Sequence, residues 1–534
     1  MHRRNLLKAM TAAGMASGFA LGALAPAIAE PTTNGRWRRL ESANFIGYSA
    51  AAEAAARNEM AALEAFHGLL ARLIPESQGG KAAKLPVYFA ATVHDFNMAA
   101  PWANENIAGF YTSNLEEIHA VVAVSAGREH QSDVGRTTGS HLKNTEIRAF
   151  DPRLILFHEY VHHFMYANMR AAYPRWYVEG FAEYLSTADF SGEGVYLGKV
   201  SYIRGSWLAN GSWLPVEKLL NFHPTEKWTE EDEALFYAQA WLIVHYFFNT
   251  PERAKGFDRY VRALTAGGDL IGAFEPSFGI SVATFDKELR AYRGKSLAYR
   301  FWPGAKIDPS IPITIEHLAP SADDLLMPAS YVRERPDAKT GAQSLKSIRE
   351  LAKKYPSDPF AMRAQATAEI WLGDLDVARQ QLDALLKIDT SNAETYHLNG
   401  LCELRAGYAT KDAKRIAAAA GSFAAAHRLD GSRASSLFRY VECNLFDTGQ
   451  VDDDSLNILL AAYELAPQVD SIAMTLAHAL IQHKQRDEAV TVLRALASDA
   501  HGGEMSRRAG QVIADTLAGK EIGMAFYGSA NASA

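Results

Sequence analysis

The sequence predicts an α+β domain followed by an all-α domain of repeated helix pairs. Segments with β character, such as 85–91 and 117–125, alternate with helical segments up to about residue 305. From residue 341 onward the patterns are helical only, and they recur at a spacing of about 34 residues. A chain of 534 residues is also too long for one hydrophobic core. We therefore expect the α+β domain at 30–320, a linker at 321–340 and the repeat domain at 341–534.

Residues 1–29 have the pattern of an export signal. Arg3, Arg4 and Lys8 precede an apolar stretch, and the triplet 27–29 (Ala-Ile-Ala) fits a signal-peptidase site, so the mature chain is expected to begin at residue 30. The run 3–8 resembles a bacterial twin-arginine signal, and an ordinary secretory signal with a chance arginine pair is the alternative. Both predict a periplasmic or secreted protein, whereas an uncleaved membrane anchor is a third possibility.

Charge and cysteine content exclude several classes of protein. Cleavage of the signal removes three basic residues and changes the net charge from −7 to −10, which argues against nucleic-acid binding. Beyond the signal there is no apolar run of about 20 residues, so no stable membrane span is expected in the mature chain. The two cysteines, Cys402 and Cys443, exclude a disulfide scaffold and a Cys-rich metal site. We expect both to be buried free thiols.

The first domain begins with a helix or helix pair at 45–73, because the segment is Ala-rich with apolar residues at helical spacing. Strands are predicted next at 85–91, 107–112 and 117–125, followed by a polar loop at 127–144. Three helices follow at 151–169, 174–186 and 231–248. Residues 305–340 are rich in Pro, Ser and Asp without a clear period, which indicates a linker.

The strongest chemical signal is the pentapeptide His158-Glu159-Tyr160-Val161-His162. An Asp151-Pro152 start predicts that it lies on a helix. His158 and His162 are then one turn apart on the same face, the spacing with which two imidazoles chelate one Zn²⁺. Glu159 lies beside that face, where its carboxylate can take a proton from a water activated by the metal.

A second helix is expected to supply the third ligand. Glu179 lies 17 positions after His162 on a helix that Pro174 can start, which leaves room for a turn and a return. Gly180 and Ala182 are small and are expected to let this helix pack closely against the first one. Glu183 is one turn further on the same face. It could be the third ligand instead of Glu179, but the favoured role is to contact a ligand side chain without binding the metal.

These motifs resemble those of the gluzincin (peptidase MA-like) zinc metallopeptidases. In that family an HExxH helix is joined by a glutamate from an EG-A motif on the next helix, and the segments HEYVH and WYVEGFAEY are similar to both. The resemblance spans about 85–293. It implies that His158, His162 and Glu179 bind zinc and that Glu159 is the general base.

The same resemblance implies an oxyanion donor and a substrate-binding strand, whereas one motif of the aminopeptidases in this family is missing from the sequence. Tyr237 matches a tyrosine-containing helix that follows the zinc helices, and it would donate a hydrogen bond to the oxyanion; a tyrosine packed among aromatic residues is the alternative. Gluzincin substrates lie extended along an edge strand, for which 117–125 is the candidate. There is no GAMEN-like stretch to hold a free amino terminus, so aminopeptidase activity is not implied.

The C-terminal part resembles tetratricopeptide repeats over about 344–517. Asp358-Pro359 opens one predicted helix pair and Asn392-Ala393 opens the next, 34 residues later. Further pairs are predicted at 432–466 and 470–496, and an insert after Gly407 breaks the period. The concave face of such a solenoid would bind a peptide or protein partner. An unrelated helical bundle is the alternative.

Together these features predict zinc-dependent peptide-bond hydrolysis in an exported bacterial protein. The expected substrate is a peptide or protein, with the repeats binding the substrate or a protein partner. The alternative from another functional class is a catalytically inactive zinc-binding scaffold whose repeats mediate protein–protein interaction.

Overall fold

The computed structural model describes residues 37–74, 83–103, 107, 109–124, 136–137, 145–148, 151–169, 171–221, 228–498 and 503–528. The expected export signal and most of the expected loop at 127–144 lie outside these residues. Within the described part, none of the helices combines the length and the apolar character needed to cross a membrane.

The N-terminal part contains strands and helices in alternation. The strands are β1 (Arg38–Glu41), β2 (Phe45–Ser49), β3 (Leu85–Ala90), β4 (Gly109–Ser113), β5 (Ile118–Ala123), β6 (Arg136–Thr137), β7 (Thr145–Arg148), β8 (Asp189–Phe190), β9 (Gly194–Leu197), β10 (Val200–Ser201), β11 (Arg300–Pro303) and β12 (Thr314–His317). The helices are α1 (Glu53–Leu73), α2 (Val93–Ala99), α3 (Pro152–Asn168), α4 (Arg175–Ser186), α5 (Tyr202–Asn210), α6 (Val216–Leu220), α7 (Glu230–Phe248), α8 (Pro251–Thr265), α9 (Phe274–Phe278) and α10 (Val282–Arg293).

The main sheet has six strands in the order β12-β1-β2-β3-β5-β4. The central pairs β2–β3 and β3–β5 are parallel, and the outer pairs are antiparallel. The prediction that 117–125 forms the edge strand is wrong, because β5 lies between β3 and β4, and β4 forms that edge. Strand β5 consists mostly of buried Ala and Val, which suits an interior position.

Helices cover both faces of this sheet. On β3, Val87 and Phe89 point into a core shared with α1 and α3, whereas Tyr88 and Ala90 point into a second core shared with α2. This alternation follows from the two-residue period of a strand. Stacking of Phe66 on Phe157, with ring centroids 4.0 Å apart, joins α1 to α3 and fixes the position of α3 on the sheet.

Residues 45–49 form strand β2 and not the start of a helix. Helical spacing begins only at Glu53, and in β2 the buried positions Phe45, Gly47 and Ser49 alternate with half-buried ones. The predicted helical window therefore merges a strand with the helix that follows it.

The predicted linker at 321–340 contains a buried helix, α11 (Ala322–Arg333). Ala322 and Leu326 pack into the core beside α2, while Leu325 and Val332 pack into the first core of the repeats. Pro328 lies inside this helix, which explains why the sequence pattern indicates irregular structure. One helix thus belongs to both domains and joins them without a spacer.

The C-terminal part is a series of helix pairs. The helices are α12 (Ala338–Ala352), α13 (Pro359–Leu372), α14 (Leu375–Ile388), α15 (Ala393–Thr410), α16 (Ala413–Leu429), α17 (Ala434–Thr448), α18 (Asp453–Leu465), α19 (Asp470–Gln482), α20 (Arg486–Ala497) and α21 (Glu504–Leu517). Asp or Asn side chains cap many of their N-termini, as Asp358, Asp374, Asn392 and Asp412 do. The coarse prediction of a helical-repeat domain is therefore correct. Cys402 and Cys443 are buried free thiols, as expected.

An extended segment, Glu521–Gly528, lies against α17 and α19. Its Tyr527 backbone N–H donates to the Thr475 hydroxyl at 2.9 Å, and the Phe526 ring packs against Phe438 with centroids 4.5 Å apart. The Gly523 carbonyl lies 2.8 Å from Nδ1 of His478. This part of the repeat surface is therefore covered by the chain itself.

Candidate metal centre

Helix α3 carries the predicted metal motif in a fixed position. The Asp151 carboxylate accepts from the Arg153 backbone N–H at 3.0 Å, and Pro152 occupies the first helical position, so the helix starts where the sequence predicts. His158, Glu159 and His162 are all buried on this helix.

Helix α4 returns beside α3 and carries Glu179, which is fully buried. Gly180 allows a close approach, but the partner differs from the predicted one. A Cβ at Gly180 would lie 2.4 Å from the Ala240 carbonyl oxygen, so the glycine admits α7 and not α3. Helices α4 and α7 therefore pack closely at Gly180.

The three predicted ligand side chains converge on one point. The Nε2 atoms of His158 and His162 are 3.0 Å apart. Oε2 of Glu179 lies 3.4 Å from Nε2 of His158 and 3.5 Å from Nε2 of His162. Among the described residues, these three form a group of metal-ligating side chains able to hold one ion.

The size of this triangle fits a small tetrahedral ion. With zinc–ligand distances of about 2.0–2.1 Å, the ligand atoms of a tetrahedron are about 3.3–3.4 Å apart. The observed separations of 3.0, 3.4 and 3.5 Å surround that value. Two imidazoles and one carboxylate are also a common donor set for a catalytic Zn²⁺. The residues present therefore fit the ion that the sequence motif implies.

Two buried residues, Glu183 and Arg204, form a second layer around the ligands, on the Nδ1 side of the His158 ring. Glu183 places Oε1 3.4 Å from Nδ1 of His158, on the ring nitrogen that does not face the triangle. The same Oε1 accepts from Nη2 of Arg204 at 2.7 Å. Of its two predicted roles, this position suits contact to a ligand, because such carboxylates fix the tautomer and the ring direction of a metal-bound histidine.

The pKa of His158 reflects these acidic neighbours. Burial lowers it, but the Glu179 carboxylate, together with the charges of Glu183 and Glu159, raises it above the ordinary value. In the metal-free protein a proton therefore competes with the metal for this imidazole.

A cavity of about 540 Å³ lies between the two domains, beside the candidate metal site. Glu159 and His162 lie in its wall, so the predicted base and one ligand face the same space. The edge strand β4 contributes Tyr111 and Thr112. The opposite wall comes from the repeats α18–α21 and from the segment that ends at Gly528.

Tyr237 lies near the ligands but outside the wall of this cavity as described. Its ring centroid is 6.5 Å from that of His158, and the Arg204 guanidinium lies 4.8 Å from the Tyr237 ring centroid. Burial, with the Glu179 charge adding to it, raises the pKa of Tyr237, so its hydroxyl stays protonated. Its role as oxyanion donor remains a prediction.

Three other tyrosines, Tyr111, Tyr166 and Tyr463, line the cavity, and none of them was predicted as a site residue. Tyr166 follows His162 by one turn on α3, and Tyr111 lies on the edge strand. The Tyr111 hydroxyl lies 3.1 Å from Nδ1 of His163, which connects the strand to the metal helix. The helical spacing of Tyr166 from His162 could have identified Tyr166 from the sequence. The positions of Tyr111 and Tyr463 at the cavity depend on tertiary structure.

A buried ion cluster holds the repeat domain beside this cavity. Glu116, in the turn between β4 and β5, pairs with Arg439 on α17 and lies 3.1 Å from Nε2 of His397 on α15. Arg439 also donates to Glu442 at 2.6 Å and to the Gly528 carbonyl at 2.7 Å. Burial raises the pKa of Glu116, but the charge of Arg439 and the contact with His397 outweigh it and bring the pKa well below the ordinary value.

Comparisons with known proteins return structural likenesses only. A solved structure of MamA is 16% identical over 31% of this chain and 93% of its own, with a TM-score of 0.25. A thermophilic TPR protein of Thermus thermophilus is 15% identical over 36% of this chain and 99% of its own, with a TM-score of 0.31. No family profile and no curated protein matches the chain. At these identities and scores the likeness carries no argument about activity.

Proposed function

We propose that the chain is a zinc-dependent peptidase whose centre is formed by His158, His162 and Glu179. The observation that carries this proposal is the triangle of ligand atoms, 3.0–3.5 Å on each side, next to a cavity whose wall includes Glu159. A zinc ion bound there would supply Lewis acidity towards a water and a carbonyl oxygen.

The residues of the chain have the following roles in this proposal. The Glu159 carboxylate accepts a proton from a water in the cavity and later delivers it to the departing amine nitrogen. Glu183 and Arg204 keep the His158 ring oriented, with Nε2 towards the triangle. The cavity is large enough for a peptide segment rather than a single small group. Tyr237, with its protonated hydroxyl, is the proposed oxyanion donor.

The second candidate function is a zinc-binding scaffold for protein partners. It is supported by the extended segment 521–528 on α17 and α19, where Ile522, Met524 and Phe526 pack at alternate positions against the repeat core. This arrangement supports the scaffold candidate, because the segment is an extended stretch of chain that packs on the repeats. Under this candidate, zinc stabilises the fold and no peptide is cleaved.

One experiment separates the two candidates. The purified chain, Glu159→Gln and His162→Ala are assayed for zinc per chain and for cleavage of casein and of a peptide library. The peptidase proposal requires one zinc in the wild type and in Glu159→Gln, with cleavage by the wild type only, and a loss of zinc in His162→Ala. Glu193→Gln, an exposed change outside the site, is the matched control. Zinc binding without cleavage of any substrate favours the scaffold, and absence of metal refutes both.

A further inference from the structure

The wall of the cavity opposite the metal motif is largely apolar, although it also contains three polar residues. Besides Pro467, Gln468, Asp470, Ser471, Ala495 and Gly503, the repeats contribute six apolar residues to it: Tyr463, Val469, Ala473, Val492, Leu496 and Met505. Four of these are buried and two, Val492 and Met505, are half-buried. An apolar wall of this size facing a polar catalytic motif is typical of a pocket that takes an apolar group.

The position of this wall relative to the metal motif is fixed by three separate contacts. Arg439 on α17 pairs with Glu116 beside the edge strand, and Nη1 of Arg494 on α20 donates to the Thr265 carbonyl at 2.6 Å. Helix α11 is shared by the cores of both domains. The apolar wall and the ligand triangle are therefore parts of one structural unit.

The chemistry of the wall does not match the nearest part of the chain itself. Gly528 lies at the edge of the cavity, and the sequence continues as Ser-Ala-Asn-Ala-Ser-Ala. That stretch has no large apolar side chain, so it does not complement Tyr463, Val469 and Leu496. A peptide with bulky aliphatic or aromatic side chains does.

We infer that the repeat domain forms the second wall of the substrate site and selects peptides with a large apolar side chain in the segment that enters this cavity. The inference rests on the proposed peptidase function and adds the substrate class to it. It assigns the repeats a role in binding the cleaved peptide itself, next to the zinc centre, rather than a separate partner.

The test measures peptide binding, so that it does not depend on turnover. Fluorescein-labelled decapeptides of Gly and Ser, with either Leu or Asn at the central positions, are titrated by anisotropy against Glu159→Gln protein loaded with zinc. We expect the Leu peptide to bind at least about tenfold more tightly, the effect of burying one large aliphatic side chain. Equal binding of the two peptides would overturn the inference.

Variants in the wall locate the effect. Ala495 lies half-buried in the wall of the cavity, and Ala495→Trp fills the space and should abolish the preference for Leu. Val492→Phe is a second filling variant in case the first does not fold. Ala495→Ser, which leaves the space open, and Ala417→Trp, on the exposed surface of α16, should keep the preference. All variants should retain one zinc and the melting temperature of the parent protein, because none touches the ligand triangle.

Cleavage by the wild-type protein is measured in parallel, so that the two hypotheses can fail separately. If the wild type cleaves peptides but Leu and Asn peptides bind alike, the inference is wrong and the peptidase proposal stands. If the Leu preference is present and lost in Ala495→Trp without any cleavage, the pocket is supported and the peptidase proposal fails. A preference that survives in both filling variants refutes the assignment to this wall.

Discussion

Replacement of Glu183 by Gln tests whether the second buried layer controls metal binding. In the structure, one carboxylate oxygen of Glu183 faces both Nδ1 of His158, at 3.4 Å, and Nη2 of Arg204, at 2.7 Å. Gln keeps the shape and one acceptor oxygen but removes the charge. The ring of His158 then loses the anion that orients it, and Arg204 is left buried beside a neutral partner.

The size of both effects follows from this geometry. Loss of a carboxylate behind a metal-bound histidine lowers metal affinity by about 10–100-fold, which corresponds to about 1.4–2.7 kcal/mol. Removing one partner of a buried ion pair costs about 3–5 kcal/mol of folding free energy, and we expect the lower end because the Gln oxygen can still accept from Arg204. If Glu183 were itself a zinc ligand, the loss of affinity would exceed this range.

The assay is competition for zinc between the protein and a chromophoric chelator at pH 7.5, with urea unfolding of the metal-free protein alongside. The double variant Glu183→Gln/Arg204→Met should recover part of the stability, because it removes the buried charge, but it should not recover zinc affinity. Glu193→Gln is the control for an exposed glutamate. Unchanged zinc affinity in Glu183→Gln would refute the proposed orienting role, whereas complete loss of zinc would make Glu183 a ligand.

Two further predictions concern packing and pH. Gly180→Ala should lower the free energy of unfolding by about 1–3 kcal/mol in urea titration, because the new Cβ would lie 2.4 Å from the Ala240 carbonyl oxygen. Gly192→Ala is the control, since a Cβ at that position would have no heavy atom within 4 Å. Equal stability of the two variants would contradict the close approach of the helices. Burial alone would raise the pKa of Glu394. The charges of nearby arginines, of which Arg333 has the largest effect, outweigh burial and lower the pKa from 4.5 to about 2. This carboxylate therefore stabilises the fold above pH 4.5, and its contribution is lost as the pH falls from 4.5 to about 2. The difference in urea midpoint between the wild type and Glu394→Gln should shrink over that interval, and a constant difference from pH 7 to pH 2 would show that the ion pair is not its cause.

The parts of the structure that depend on local sequence could be predicted. The spacing of His158 and His162 needs only helical geometry, and the Asp151-Pro152 start sets the position of that helix. Helices predicted at 151–169, 174–186 and 231–248 occur within a residue or two of those bounds. The meeting of Glu179 with the two histidines follows from a short return between neighbouring helices. Whether the ligand triangle supports peptide hydrolysis is tested by the Glu159→Gln and His162→Ala variants.

The features that the sequence does not reveal depend on contacts between distant residues. Strand β5 (IHAVVA) is more apolar and more deeply buried than strand β4 (GFYTS), but the pairing that places β4 at the edge of the sheet joins separate segments of the chain. The pattern of helix α11 indicates a linker because Pro328 and nearby acidic residues mask its helical spacing, yet the helix is stabilised by cores on both sides. The sequence predicts the wrong partner for Gly180 for a related reason, since its close neighbour Ala240 lies 60 positions away.

The contact between Glu116 and Arg439 has the largest consequence, because it joins buried residues that are 323 positions apart. Burying these charges costs free energy that is recovered only when both domains are in place, since Glu442, His397 and the Gly528 carbonyl complete the cluster. A protein truncated after α10 would leave Glu116 buried without its arginine or exposed together with the apolar residues around it. We therefore expect the repeats to stabilise the edge strand next to the metal motif. Because the repeats are attached beside the candidate metal site, mutations in them should be assayed for their effect on zinc and peptide binding and not only for loss of a partner.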